Sequence, residues 1–145
     1  PGELRHNGGS PRYQIYPTSD GKLVACGALE QHFWNAFTKA IGLPPELTED
    51  ERDPKATVEA IRRIIRSKPA SYWQPVFANA DCCVTIMATL EEALADPHFV
   101  ERGLFDRGVK APDGSSMPAL PLPISPQLRV DDRERPFPPL ADKKN

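Results

Sequence analysis

Few of the 145 residues have side chains placed to do chemistry, and Glu30 is the most conspicuous of them. It ends the apolar stretch Leu23-Val24-Ala25-Cys26-Gly27-Ala28-Leu29 and precedes a run carrying Phe33, Trp34 and Phe37. A strand-to-helix junction puts a side chain at the rim of a sheet, and a partly desolvated carboxylate there suits proton transfer. The plainer reading is an acid in the first helical turn that complements the helix dipole, and pattern alone favours it. Gly8 and Gly9, within Asn7-Gly8-Gly9-Ser10, are the second candidates: bare backbone in a mobile loop can approach a ligand closely. Such a run is more commonly a linker, and it matches neither the dinucleotide fingerprint nor the P-loop.

The other reactive residue types lead less far. Arg62, Arg63, Arg66 and Lys68 could receive a phosphate, although a solvated helix face is the default for such a cluster. His32 follows Glu30 by two residues, so on a helix the two point different ways. His6 and His98 lack evident partners, and all three histidines read as surface or structural residues. The three cysteines form neither a CxxC pair nor a Cys/His cluster, so no metal site is expected. Cys82 and Cys83 read as buried, inert thiols. An odd count with an adjacent pair suggests a reduced, cytoplasmic setting. No Ser-His-Asp arrangement follows from the spacing.

Composition bounds the remaining classes. The length is that of one ordinary domain able to bury a core. A net charge of −2 gives no electrostatic reason to expect nucleic acid. No apolar run approaches the roughly 20 residues of a membrane span. The chain starts at Pro1 and is polar and proline-containing at both ends, as an excised part of a longer polypeptide would be.

The elements that must position these residues follow from periodicity. Residues 1–12 read as a loop. Tyr13–Tyr16 and Leu23–Cys26 read as strands joined through Asp20-Gly21, a pair suited to the positive φ of a hairpin turn. Phe33, Trp34, Phe37, Ala40 and Ile41 recur at helical spacing, which predicts a helix from Glu30 to Ile41 stopped by Gly42. Asp53-Pro54 predicts an N-cap with proline at the first helical position, followed by an apolar face of Val58, Ile61, Ile64 and Ile65. A short helix holds Trp73, Val76 and Phe77, with Pro75 required near its first turn to avoid a kink. Cys83–Ile86 reads as a buried strand, and Thr89 with Glu92 as a capping box. Asp96-Pro97 opens a further turn that Gly103 ends. Leu104–Val109 and Met117–Leu122 flank Pro112–Ser115 as a second hairpin. The proline-dense end cannot donate to a central ladder and reads as an edge or surface strap. The sum is an α+β domain: a small, mostly antiparallel sheet with several short helices and a proline-rich C-terminal strap.

The text GGSPRYQIYPTSDGKLVACGALEQHFW resembles the family III CoA-transferases, a family that includes carnitine and formyl-CoA transferases and α-methylacyl-CoA racemase. The similarity continues through IGLP, through DCCVTIMATLEEALADPHFVERGLF and into PALPLPISP. It spans about residues 8–126, in the family's order. The resemblance implies a part of an enzyme: residues 13–126 as the smaller domain, with 1–12 a loop and 127–145 a proline-rich polar tail. The larger domain of such enzymes carries the main catalytic residues, an aspartate nucleophile in the transferases or a His and Asp pair in the racemase. Nothing here matches either motif, so this chain alone is expected to be inactive.

The resemblance further implies a coenzyme A thioester as substrate, held with the large domain, and an interlocked homodimer as the parent. Gly8 and Gly9 stand where the transferases have a glycine-rich loop over the intermediate. Glu30, in GALE, matches the racemase-like GAIE segment, whose glutamate lies near the cleft; it is carried over as an accessory catalytic residue. Transfer of CoA between carboxylic acids is the first expectation for the parent. α-Methylacyl-CoA racemisation is the alternative, and a non-catalytic binding or dimerisation module is a third.

Overall fold

The computed structural model describes residues 8–120, 124–128 and 134–137. Strands β1 (Tyr13–Pro17) and β2 (Leu23–Gly27) pair antiparallel with Ile15 opposite Ala25. The turn between them closes with the Thr18 amide donating to the Lys22 carbonyl at 2.9 Å, and Gly21 supplies a φ of 80°. β3 (Val84–Ile86) adds to β2, giving the order β1-β2-β3. Tyr16, Val24, Cys26 and Val84 alternate into the core, as period-two geometry requires. Tyr13, Ile15 and Thr85 stand on the opposite, open face. The expectation of a buried third strand is thus corrected: β3 is an outer strand with one side open.

Three helices cover the inner face. Helix α1 (Gln31–Ile41) stops at Gly42, whose φ of 68° ends it in the left-handed conformation. Helix α2 (Pro54–Arg66) opens on Asp53, whose side chain accepts from the Ala56 amide at 2.9 Å. Helix α3 (Ala70–Ala78) carries Pro75 as its sixth residue, in the interior rather than the first turn as expected. Proline there leaves the Ser71 carbonyl without an intrahelical donor. Both residues lie on the exposed side of the helix, away from the core. Trp34, Phe37, Ile61, Ile65, Trp73 and Phe77 fill the space beneath the sheet. Each such side chain contributes about 1.5–3 kcal/mol by leaving water. The two indoles keep polar partners: Trp34 Nε1 donates to the Thr48 carbonyl at 2.8 Å, and Trp73 Nε1 to Ile65 at 2.9 Å.

The chain divides into two compact units, residues 1–87 and 88–145. In the second, α4 (Leu90–Ala95) has the predicted capping box. The Glu92 amide donates to Thr89 Oγ1 at 3.2 Å, and the Thr89 amide donates to Glu92 Oε2 at 2.8 Å. Asp96 caps α5 (Pro97–Glu101), and β4 (Arg107–Lys110) pairs antiparallel with β5 (Ser116–Ala119). β6 (Glu134–Pro136) lies parallel to β4, so Pro118 and Pro136 both sit on outer strands, where a missing N–H breaks no central ladder. The α+β class therefore stands, with its strands in two small sheets rather than one. Among the described residues of this second unit none is buried. Pro121, Pro123, Pro138 and Pro139 of the expected strap, and Leu122 of the expected hairpin, lie outside the described residues.

Candidate functional site

Glu30 occupies the N-cap of α1, one position before the first turn in which it was expected. Its backbone is extended and its carbonyl accepts from the Trp34 amide at 3.0 Å, but its carboxylate caps nothing. The side chain is exposed, so the partial desolvation expected of it is absent from this chain. Among the described residues it has no ion-pair partner. The helix dipole reading shifts by one position: α1 has no acid in its first turn, and Glu30 stands at its N-cap, where its charge faces the positive end of the helix without capping a backbone amide.

Gly8 has a φ of 102°, a backbone state that other residues rarely adopt. Its carbonyl accepts from Gln14 Nε2, which ties the glycine segment to β1. Gly8 and Gly9 both line an open cavity of about 800 Å³ beside the start of α2, where Arg52, Lys55 and Arg62 also stand. Of the expected cluster Arg62, Arg63, Arg66 and Lys68 only Arg62 lines this cavity, and it is paired with Glu59, as Arg52 ahead of the helix is with Glu49. The phosphate-receiving reading of that helix face therefore gains little.

Gly8 also lines a cavity of about 610 Å³ on the open face of the first sheet. Its floor is Tyr13 and Ile15 from β1, Ala25 and Gly27 from β2, and Thr85 from β3, with Cys83 and Met87 at the ends of that strand. No charged side chain lines it. Tyr13, Ile15 and Met87 are 42%, 51% and 38% exposed, an apolar grouping on a surface that a lone strand pattern would make polar. Glu30 lines neither cavity, so the glycine segment and the glutamate are not brought together by this chain. The sequence signal of this apolar face is Tyr13 and Ile15, which alternate with Gln14 and the core residue Tyr16 along β1.

The thiols separate. Cys26 is buried, and burial pushes its pKa up to about 12. Cys82 is buried and shifted upward for the same reason. Cys83 departs from the expected inert pair: it is exposed, at a φ of 52°. The left-handed residue reverses the chain just ahead of β3 and turns this side chain outward. His32 and His98 are exposed, His6 lies outside the described residues, and no metal-ligating cluster occurs among those described.

Comparison with known proteins fits this geometry. The chain is 32% identical to α-methylacyl-CoA racemase of Mus musculus over 122 residues, covering 81% of this chain and 31% of that protein. The same racemase of Homo sapiens is 30% identical over 136 residues, covering 90% and 35%. This chain thus spans about a third of the length of the curated relatives it matches. In fold it is similar to a mutant of Rv3272 from Mycobacterium tuberculosis, with a TM-score of 0.63 at 19% identity, covering 90% of this chain and 38% of that one. No helix among the described residues is long and apolar enough to cross a membrane. The model of CoA-transferase family III matches residues 1–142, so the chain belongs to that family.

Proposed function

We propose that this chain is the smaller, cleft-capping domain of an enzyme that exchanges the α-proton of a 2-methylacyl-CoA. The remainder of that enzyme supplies most of the CoA contacts and the principal acid and base. The observation that carries the reading is an exposed carboxylate, without a cap hydrogen bond or ion pair among the described residues, at the mouth of a helix, on a domain that also bears a charge-free apolar sheet face. Apolar surface of that kind suits an acyl chain, and a carboxylate left in solvent by its own domain is available to a shared site. Glu30 acts as the accessory residue, and Gly8 and Gly9 as the segment that approaches the substrate. The two racemase relatives favour proton exchange over the first expectation from sequence. CoA transfer between carboxylic acids is the second reading, favoured by the name of the family model.

In the intact enzyme, Glu30→Gln lowers kcat for exchange by about tenfold to a hundredfold, at or below the low end of the range for principal acid–base groups, as befits an accessory one. The melting temperature falls only slightly, because the exposed carboxylate makes no cap hydrogen bond or ion pair and gives up only its weak interaction with the helix dipole. An unchanged kcat would remove Glu30 from the reaction.

A further inference from the structure

Arg12 lies between the two candidate segments in an unusual position. Its Nε donates to Asp50 Oδ1 and Oδ2 at 3.0 and 3.1 Å, and its Nη2 donates to Oδ1 at 2.7 Å. Asp50 is only 6% exposed at its side chain and Arg12 16%, so both charges are taken out of water together. The guanidinium also lies 5.0 Å from the centroid of the Trp34 ring. Its remaining arm, Nη1, donates to the carbonyl of Leu29 at 3.3 Å. Leu29 is the residue before Glu30, and the Trp34 amide donates the first intrahelical bond to the Glu30 carbonyl. One guanidinium therefore holds the backbone on the N-terminal side of Glu30 and packs on the ring of the residue that closes its C-terminal side.

The Arg12 backbone is itself fixed. Its carbonyl accepts from the Cys26 thiol at 3.5 Å, and the neighbouring Pro11 carbonyl accepts from the buried Tyr16 hydroxyl at 2.7 Å. Three residues earlier the chain reaches Gly9, and Gly8 is tied through Gln14 to β1. The glycine segment and the Glu30 junction thus share one anchor, although they line no common cavity.

We propose that Arg12, oriented by Asp50, is a positioning residue that sets the backbone from which Glu30 is presented. A fold-stabilising ion pair needs only the Asp50 contacts. The third arm, spent on the carbonyl beside an exposed carboxylate that makes no cap hydrogen bond or ion pair, is what a presentation role requires. Planar geometry makes the role specific to arginine: a lysine keeps the charge but cannot serve Asp50 and the Leu29 carbonyl at once. The proposal rests on the reading of Glu30 as part of a shared acyl-CoA site.

The test is a double-mutant cycle in the intact enzyme, with Arg12→Lys, Glu30→Gln and the double variant assayed for α-proton exchange and melting temperature. The expected result is that Arg12→Lys lowers kcat about tenfold, with KM changed less than twofold. In the Glu30→Gln background it is expected to lower kcat no further, while the fall in melting temperature is equal in both backgrounds. Ile61→Val, a core change that removes none of the junction's hydrogen bonds, controls for loss of stability and should leave kcat unchanged. If Arg12→Lys does not fold, Asp50→Asn, which keeps an acceptor for the guanidinium, takes its place in the same cycle. Equal losses of kcat in both backgrounds, or a matching loss in Ile61→Val, would overturn the positioning role and leave that of Glu30 intact. A Glu30→Gln enzyme with unchanged kcat would overturn the reading beneath both.

Discussion

At the scale of single residues, the backbone decides more than residue type. Cys82 and Cys83 are neighbours of identical chemistry, yet one is 1% exposed and the other faces out, because Cys83 sits at positive φ. Only the outward thiol lines the apolar sheet-face cavity together with Cys26, whose pKa is driven to about 12 by burial. Alkylation of the native chain should therefore mark Cys83 first, with Cys26 and Cys82 protected until unfolding. Bound acyl-CoA should slow the Cys83 reaction if the acyl chain lies on that face. Peptide mapping after brief iodoacetamide treatment would show it, and equal labelling of all three would contradict the burial pattern. Adjacent cysteines carry no sequence signal that separates them. The left-handed turn at Asp81 and Cys83 contains no glycine to announce it. Glu30 differs: its place at the junction was legible, and only its exposure needed the structure.

At the scale of elements, those set by local pattern followed the sequence closely. The Asp20-Gly21 hairpin, the helix ended by Gly42, the Asp53-Pro54 start and the Thr89–Glu92 box each depend on a few adjacent residues, and each formed where those residues stand. Departures came where distant parts meet. Pro75 is accepted inside α3 because the helix turns that side to water while Trp73 and Phe77 stack at 5.5 Å on the other. The hairpin turn has a second role that no local pattern reveals. Asp20 accepts from the Thr18 hydroxyl at 2.5 Å and from the Ala70 amide at 3.1 Å, so the turn carboxylate serves the first N–H of α3 fifty residues away. The Thr18 hydrogen bond, with the Ala70 amide adding to it, holds the Asp20 pKa below its ordinary value of 3.8. A depressed folded-state value means that the stabilisation is complete above the unfolded value and is lost as pH falls through the folded one. Asp20→Asn should thus lower the melting temperature near neutral pH, and the gap from wild type should close at strongly acid pH. A gap that stays constant with pH would show that the charge on Asp20 plays no part.

At the scale of the whole molecule, the contrast between the two units is the main finding. Residues 1–87 own a core of three helices, two of them aromatic-bearing, and a sheet, and this follows from the apolar periodicity of the sequence. Residues 88–145 form regular elements without a buried residue among those described, while Leu90, Val100, Leu120 and Leu128 are more than half exposed. Local capping and turn chemistry was readable there, but it does not say what such apolar side chains pack against. The candidate site has the same character. Its residues were legible one by one, while the surface that would unite Glu30, the glycine segment and the apolar face is not made by this chain, which spans about a third of its relatives. The direct test is therefore made on the intact enzyme, incubated in D2O with a 2-methylacyl-CoA, with and without a free carboxylic acid as acceptor. The expected result is deuterium at the α-carbon at the same rate in both, with the thioester intact. CoA transfer to the added acid without α-deuteration would contradict proton exchange and support the transferase reading, and no reaction of either kind would contradict an acyl-CoA enzyme altogether.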